Sequence, residues 1–200
     1  HRRIPYENYL ISFFGRLNYN FMDRYLLTAT LRRDGSSRFS ENNRWGLFPS
    51  AALAWTISNE PFMKATENVL SKLKLRLGYG VTGQQDGIGN YNYLPVYTYS
   101  QTGAEVQFGN QFINTYRPEA YVSDLKWETT TSWNAGFDFG FLKDRISGSF
   151  DFYTRKTEDL LATVAAPAGS TFDKTILTNV GNVDSKGIEV TLNATPIQTK

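Results

Sequence analysis

Between Lys72 and Thr82 every second residue is apolar. Leu73, Leu75, Leu77, Tyr79 and Val81 alternate with Lys72, Lys74, Arg76, Gly78, Gly80 and Thr82. A period of two belongs to an extended strand whose two faces meet different surroundings. The run covers about eleven residues, roughly twice the length of an ordinary soluble strand. At ~3.3 Å per residue it spans ~36 Å, and a tilt of ~40° leaves ~27 Å of height, against ~25 Å for the apolar band of a membrane β-barrel. The spacing predicts a bilayer-crossing strand. Leu73, Leu75, Leu77 and Tyr79 would face lipid, and Lys72, Lys74 and Arg76 would line a water-filled lumen.

Six further segments repeat the pattern. Tyr9 to Asn20 sets Tyr9, Ile11, Phe13, Leu17 and Tyr19 against Ser12, Arg16, Asn18 and Asn20, with Phe14 breaking the polar side. Tyr25, Leu27, Ala29 and Leu31 oppose Arg24, Thr28, Thr30 and Arg32. Ala51 to Ser58, Ser132 to Phe141, Ile146 to Phe152 and Gly187 to Ala194 complete the set. A short helical turn is expected near Phe62 to Asn68, and no longer helix.

The connectors are unequal. Phe21 to Asp23 and Leu142 to Arg145 are about three and four residues, and both leave the same end of an antiparallel sheet. Asp34 to Arg44, Gly83 to Leu125 and Glu158 to Val180 leave the other end, at about eleven, forty and twenty. Asn59 to Leu70, about twelve, is long for the short-turn side. Barrels of outer membranes pair short periplasmic turns with long external loops, whereas a soluble sandwich has no use for a forty-residue loop.

Composition removes several function classes. Cysteine is absent from the 200 residues, which excludes disulfide frameworks and thiolate metal sites. A formal charge of +2 with scattered Lys and Arg does not suit nucleic acid. No apolar run is long enough for a membrane helix, and a mean hydropathy of −0.41 is compatible with a barrel, half of whose strand positions face water. The chain starts at His1 and shows no export signal, so it reads as an internal segment of a longer protein.

Catalytic chemistry finds no footing. The sole histidine is His1, which leaves no base for a Ser-His-Asp arrangement. Glu158 and Asp159 are neighbours whose side chains point apart. Asp86, Gly87, Gly89 and Asn90 lack the further acidic ligands of a calcium loop. No metal, cofactor or enzymatic activity is expected. Arg33 to Ser37 reads as a polar turn at the loop end, with ligand contact as the alternative. The best binding candidates are the rings of the long connector, Tyr91, Tyr93, Tyr97, Tyr99, Tyr116 and Tyr121, with Phe108 and Phe112. Aromatic faces stack on sugar rings and also anchor protein partners.

Longer motifs carry a family likeness. YLLTATLRRDGSSRF (Tyr25 to Phe39), RWGLFPSAALAW (Arg44 to Trp55), LKLRLGYGVTGQ (Leu73 to Gln84), LKWETT (Leu125 to Thr130), WNAGFDFGF (Trp133 to Phe141), DFYTRKTEDLL (Asp151 to Leu161) and TNVGNVDSKGIEV (Thr178 to Val190) occur in this order. Together they resemble the C-terminal half of the barrel of SusC/RagA-type TonB-dependent outer-membrane transporters. Gln84 and Asp184 depart from the family pattern, each standing where asparagine is expected.

The resemblance implies an all-β fold in which residues 1–200 form about seven strands of a 22-stranded antiparallel transmembrane barrel with long extracellular loops. It implies multi-pass residence in the bacterial outer membrane. It also implies glycan or oligopeptide import, coupling to the TonB complex through a plug and TonB box outside this segment, and a SusD-like surface lipoprotein as lid. No terminal strand is recognised, since the segment closes on Thr195, Pro196 and a polar tail. The competing expectation is a secreted all-β carbohydrate-binding or adhesin module, with strands of five or six residues and apolar faces meeting in one core.

Overall fold

The computed structural model describes residues 6–100 and 103–195. His1 and Pro196 lie outside them. The chain builds one antiparallel sheet of seven long strands. They are β1 (Leu10–Phe21), β2 (Tyr25–Ser36), β3 (Trp45–Thr56), β4 (Leu70–Gln84), β9 (Glu128–Phe141), β10 (Ile146–Glu158) and β13 (Val183–Ala194), paired in chain order. The shorter strands lie in the loops. β5 (Tyr97–Tyr99), β6 (Val106–Phe108), β7 (Gln111–Ile113) and β8 (Tyr116–Pro118) occupy the loop after β4. β11 (Leu161–Ala165) and β12 (Thr175–Asn179) occupy the loop after β10. The wall strands run 12 to 15 residues, twice the length of a sandwich strand.

Seven long strands were expected and seven form; all but β1 are longer than the alternation alone outlined. β3 starts at Trp45, ahead of the expected Ala51, and carries Pro49 within it. Its ladder to β2 is continuous, but its ladder to β4 stops at Ser50↔Gly80. Proline has no N–H to donate, and it stands where these two strands part.

One end of the sheet is tight. The β1–β2 turn places Met22 and Asp23 at positive φ (54° and 51°), and Asn20 Oδ1 accepts from the Asp23 N–H at 3.1 Å. The β9–β10 turn is of similar length. The third connector on this side holds two short 3₁₀ segments, Ile57–Asn59 and Pro61–Thr66, close to the expected helical turn. The other end carries the loops 37–44, 85–127 and 159–182.

Side chains buried from water are few and do not lie between two sheets. Phe39, Phe48, Ile88, Leu125 and Trp127 form the buried cluster, with Val81, Val122, Leu161 and Leu177 against it. Trp127 packs between Phe39 (4.8 Å between ring centres) and Phe48 (5.5 Å, edge-on). This core ties all three loops to the rim of β3 and β4. Across most of the wall the apolar side chains remain exposed, from Phe13 and Leu17 through Leu53 and Leu77 to Val190 and Leu192. Among the described residues no second sheet covers them, so the apolar faces do not meet in a sandwich core.

Candidate functional site

The strand ladders sort the wall into two faces. Asn18, Thr28, Ala52, Gly78, Asn134 and Tyr153 share one rung of the polar face. Below it, Arg76 Nη2 donates to Asp138 Oδ1 at 2.9 Å and to Asp151 Oδ1 at 2.8 Å, and Arg76 Nε donates to Asp138 at 3.1 Å. One guanidinium thus joins three strands. Gly136 sits between them in register with both Arg76 and Asp151, and a Cβ there would collide with the Asp151 carboxylate. Glycine here permits the close approach of an ion pair on this face. Lys72 and Lys74 occupy the same face, in register with Gly140 and Asp138.

The other face is apolar except at one end. Its charged residues are Arg33, Lys156, Glu158, Asp184 and Lys186, all toward the loops. The rung through Lys186 runs Thr154, Trp133, Tyr79, Ala51, Ala29, Leu17. On β13 the apolar run stops just below this rung, at Ile188. On β9 it reaches the rung at Trp133, on β4 it passes to Val81, and on β1 it continues to Ile11. The lower edge climbs in the same direction. Ala194, Ile146 and Phe141 lie about eight residues below the rung, whereas Trp55, Tyr25 and Phe21 lie about four below.

Two edges that cross the ladders obliquely are what a level apolar layer draws on tilted strands. Over the six steps from β13 to β1 the upper edge climbs about eight residues and the lower edge about four, a mean of about one residue per strand. With ~3.3 Å per residue and ~4.8 Å between strands, that slope is a tilt of about 35°, within the ~35–45° of membrane barrels.

At the tight end, aromatic rings line the lower edge. Tyr25 stacks on Trp55 at 6.1 Å and faces Phe21 at 6.4 Å. The polar tips of this pair converge on Glu60, which is almost wholly buried: Tyr25 Oη donates at 2.8 Å and Trp55 Nε1 at 3.0 Å, with Arg24 Nη1 at 3.5 Å. These donors, Tyr25 foremost, hold the Glu60 carboxyl below its ordinary value. The long third connector is thereby pinned under the rings.

At the loop end the structure separates the candidate tyrosines. Tyr91 sits at the root of loop 85–127. Its hydroxyl accepts from the Glu7 N–H at 3.3 Å, and its ring lies 6.5 Å from Tyr6. Tyr93 is half-buried. Tyr97, Tyr99 and Tyr116 stand on the β5–β8 ribbon, each about 60% exposed. Tyr99 and Tyr116 face each other at 4.8 Å with hydroxyls 3.1 Å apart. Beyond them the β6–β7 hairpin presents Phe108 and Phe112, also exposed. Tyr121 is exposed near the β11–β12 loop, where Asp173 accepts from the Ala120 N–H and pairs with Arg117 at 3.8 Å. The six residues form a docked root and a projecting ribbon, not one site.

The stretch expected as a polar turn is mostly strand: Arg33 to Ser36 continue β2, in register with β1. Asp34 and Ser36 are buried. Asp34 is bound by Arg32 at 2.7 Å and the Ser36 hydroxyl donates to Gln85, so both side chains are consumed within the wall. Glu158 pairs with Lys156 at 2.6 Å. Among the described residues no cluster of His, Cys, Asp or Glu is placed to hold a metal.

This geometry can be set beside known proteins. Residues 2–197 match the family described as TonB dependent receptor-like, beta-barrel. The chain belongs to that family. It is 53% identical over 194 residues to the TonB-dependent receptor SusC of Bacteroides thetaiotaomicron, covering 97% of this chain and 19% of that protein. It is 39% identical to TonB-dependent receptor P39 of Formosa agariphila over 96% of this chain and 18% of that one. The RagAB peptide importer in its closed-closed state superposes on it with a TM-score of 0.81 at 33% identity, covering 96% of this chain and 20% of that one. The chain thus spans about a fifth of the length of these relatives. It shares the fold alone with the siderophore receptor PirA of Pseudomonas aeruginosa, covering 92% of this chain and 31% of that one (TM-score 0.61, 16% identity).

Proposed function

We propose that this chain is a third of the wall, and part of the outer mouth, of a TonB-coupled outer-membrane importer of glycans or oligopeptides. The observation that carries the reading is the confinement of charge on the apolar face to its loop end, with both edges of the apolar layer climbing in the same direction across the strands. Lipid on that face explains both features. Leu73, Leu75, Leu77 and Tyr79 then touch acyl chains, and Lys72, Lys74 and Arg76 line the interior. The likeness to the RagAB peptide importer supports oligopeptides as a transported class, and the SusC/RagA-type motifs of the sequence support glycans. The plug, the TonB contact and a SusD-like lipoprotein lid come from outside this segment, and no bond is broken within it.

In this reading the exposed ribbon of Tyr97, Tyr99, Tyr116, Phe108 and Phe112 stands at the mouth, where rings stack on sugar faces or pack against a lid. Tyr91, Tyr93 and Tyr121 hold the loop base and contribute less. The test is uptake of labelled oligosaccharide and oligopeptide pools by cells carrying the full-length gene or its deletion. Uptake that requires the gene and stops with a protonophore is the expected result. Gene-dependent uptake that survives the protonophore would refute energy coupling.

A further inference from the structure

On the apolar face, the five charged residues gain meaning once the strand tilt is applied. Arg33 lies four residues above the Lys186 rung but five strands further along the sheet, and Lys156 lies two residues above it and one strand along. A climb of about one residue per strand brings all three cations to nearly the same level, at the upper edge of the apolar layer. They are not equivalent. Lys156 is neutralised by Glu158 at 2.6 Å. Arg33 and Lys186 are exposed, and among the described residues neither is bonded to a carboxylate. The Arg33 guanidinium lies 4.9 Å from the centre of the Trp45 ring, which stacks on Phe13 at 6.2 Å. That layered stack holds the cation at the membrane-facing surface. Lys186 rims a hollow of about 640 Å³ lined also by Trp133, Thr154, Asp184 and the Lys156–Glu158 pair.

We propose that Arg33 and Lys186 bind the phosphate-bearing, negatively charged headgroups of outer-leaflet lipids, and so fix the height of this wall in the bilayer. The proposal rests on the membrane reading above. A basic side chain at a charged membrane surface favours anionic lipid by about fivefold, so the pair is worth roughly 25-fold. The interaction weakens with salt because both groups are exposed.

Trp45 and Trp133 lie beside the two cations, so lipid quenching reports on both. The full-length protein is reconstituted in phosphatidylcholine vesicles containing either brominated phosphatidylglycerol or brominated phosphatidylcholine. Stronger quenching by the phosphatidylglycerol, lost in the Arg33→Gln/Lys186→Gln double variant and retained in Lys156→Gln, is the expected result. Equal quenching by the two lipids in the unaltered protein, or a preference unchanged in the double variant, overturns the headgroup assignment and leaves the membrane reading intact. Absence of quenching by either lipid overturns the membrane reading itself.

Discussion

Replacing Leu77 by arginine would place a charge in the middle of the apolar layer. On β4 this layer runs from Leu73 to Val81, and Leu77 is its central rung, with Ala135 and Leu53 to either side. Four residues separate Leu77 from Val81. At ~3.3 Å per residue and a tilt of about 35° they differ in height by ~11 Å. Arginine on the lipid face costs ~2–4 kcal/mol at the midplane and ~0–1 kcal/mol near the interface. The expected series for the full-length protein in vesicles is therefore Leu77→Arg at about 3 kcal/mol, Leu75→Arg slightly less, and Val81→Arg below about 1 kcal/mol. Lys74→Leu, next to Leu75 but on the opposite face, should fall below the midplane value. Reversible urea unfolding of each variant, read by tryptophan fluorescence, supplies the free energies. Equal costs at Leu77 and Val81, or a larger cost for Lys74→Leu than for Leu77→Arg, would refute the face assignment and the tilt together.

Other sites give separable outcomes. Arg76→Ala leaves Asp138 and Asp151 facing each other without their shared cation. The site is partly exposed, so the loss should be on the order of 1 kcal/mol, reduced when Asp138→Asn is added. Leu125→Ala empties a fully buried position in the loop core and should cost ~2–4 kcal/mol locally, read as faster protease cleavage in loop 85–127 while the wall persists. The Glu60 carboxyl is held below its unfolded value of 4.5, so its stabilising contribution is present above that pH and disappears as pH falls through the lower, folded value. Glu60→Gln should flatten the acid limb of the stability curve, measured as melting temperature against pH.

Much of the wall was legible in the residues because its faces meet opposite surroundings. β4 and β9 alternate almost without exception, so the face on which each side chain lies followed from pattern alone. The upper half of β3 was hidden because Gly46, Phe48 and Pro49 interrupt the alternation just where loop packing replaces the open faces. The β6–β7 hairpin carries a local signal: Gly109-Asn110, with Gly109 at φ 63°, is a two-residue turn between the triplets Val106–Phe108 and Gln111–Ile113, each with two apolar residues. The loop core carried no comparable signal. Phe39, Ile88 and Leu125 lie far apart in polar segments, and only tertiary folding brings them onto Trp127. Likewise the six tyrosines share a loop but not a surface, since Tyr91 is captured by Glu7, a residue more than eighty positions away.

In the proposed importer the two faces of this sheet meet lipid and water. The segment contains no cysteine; with any cysteine elsewhere in the full-length protein replaced by serine, single cysteines are placed from position 72 to 82 and spin-labelled in the membrane. Collision with oxygen should peak at 73, 75, 77, 79 and 81, and collision with a water-soluble nickel chelate at the positions between. A flat profile, or uniform access of the chelate to all eleven positions, would contradict the account.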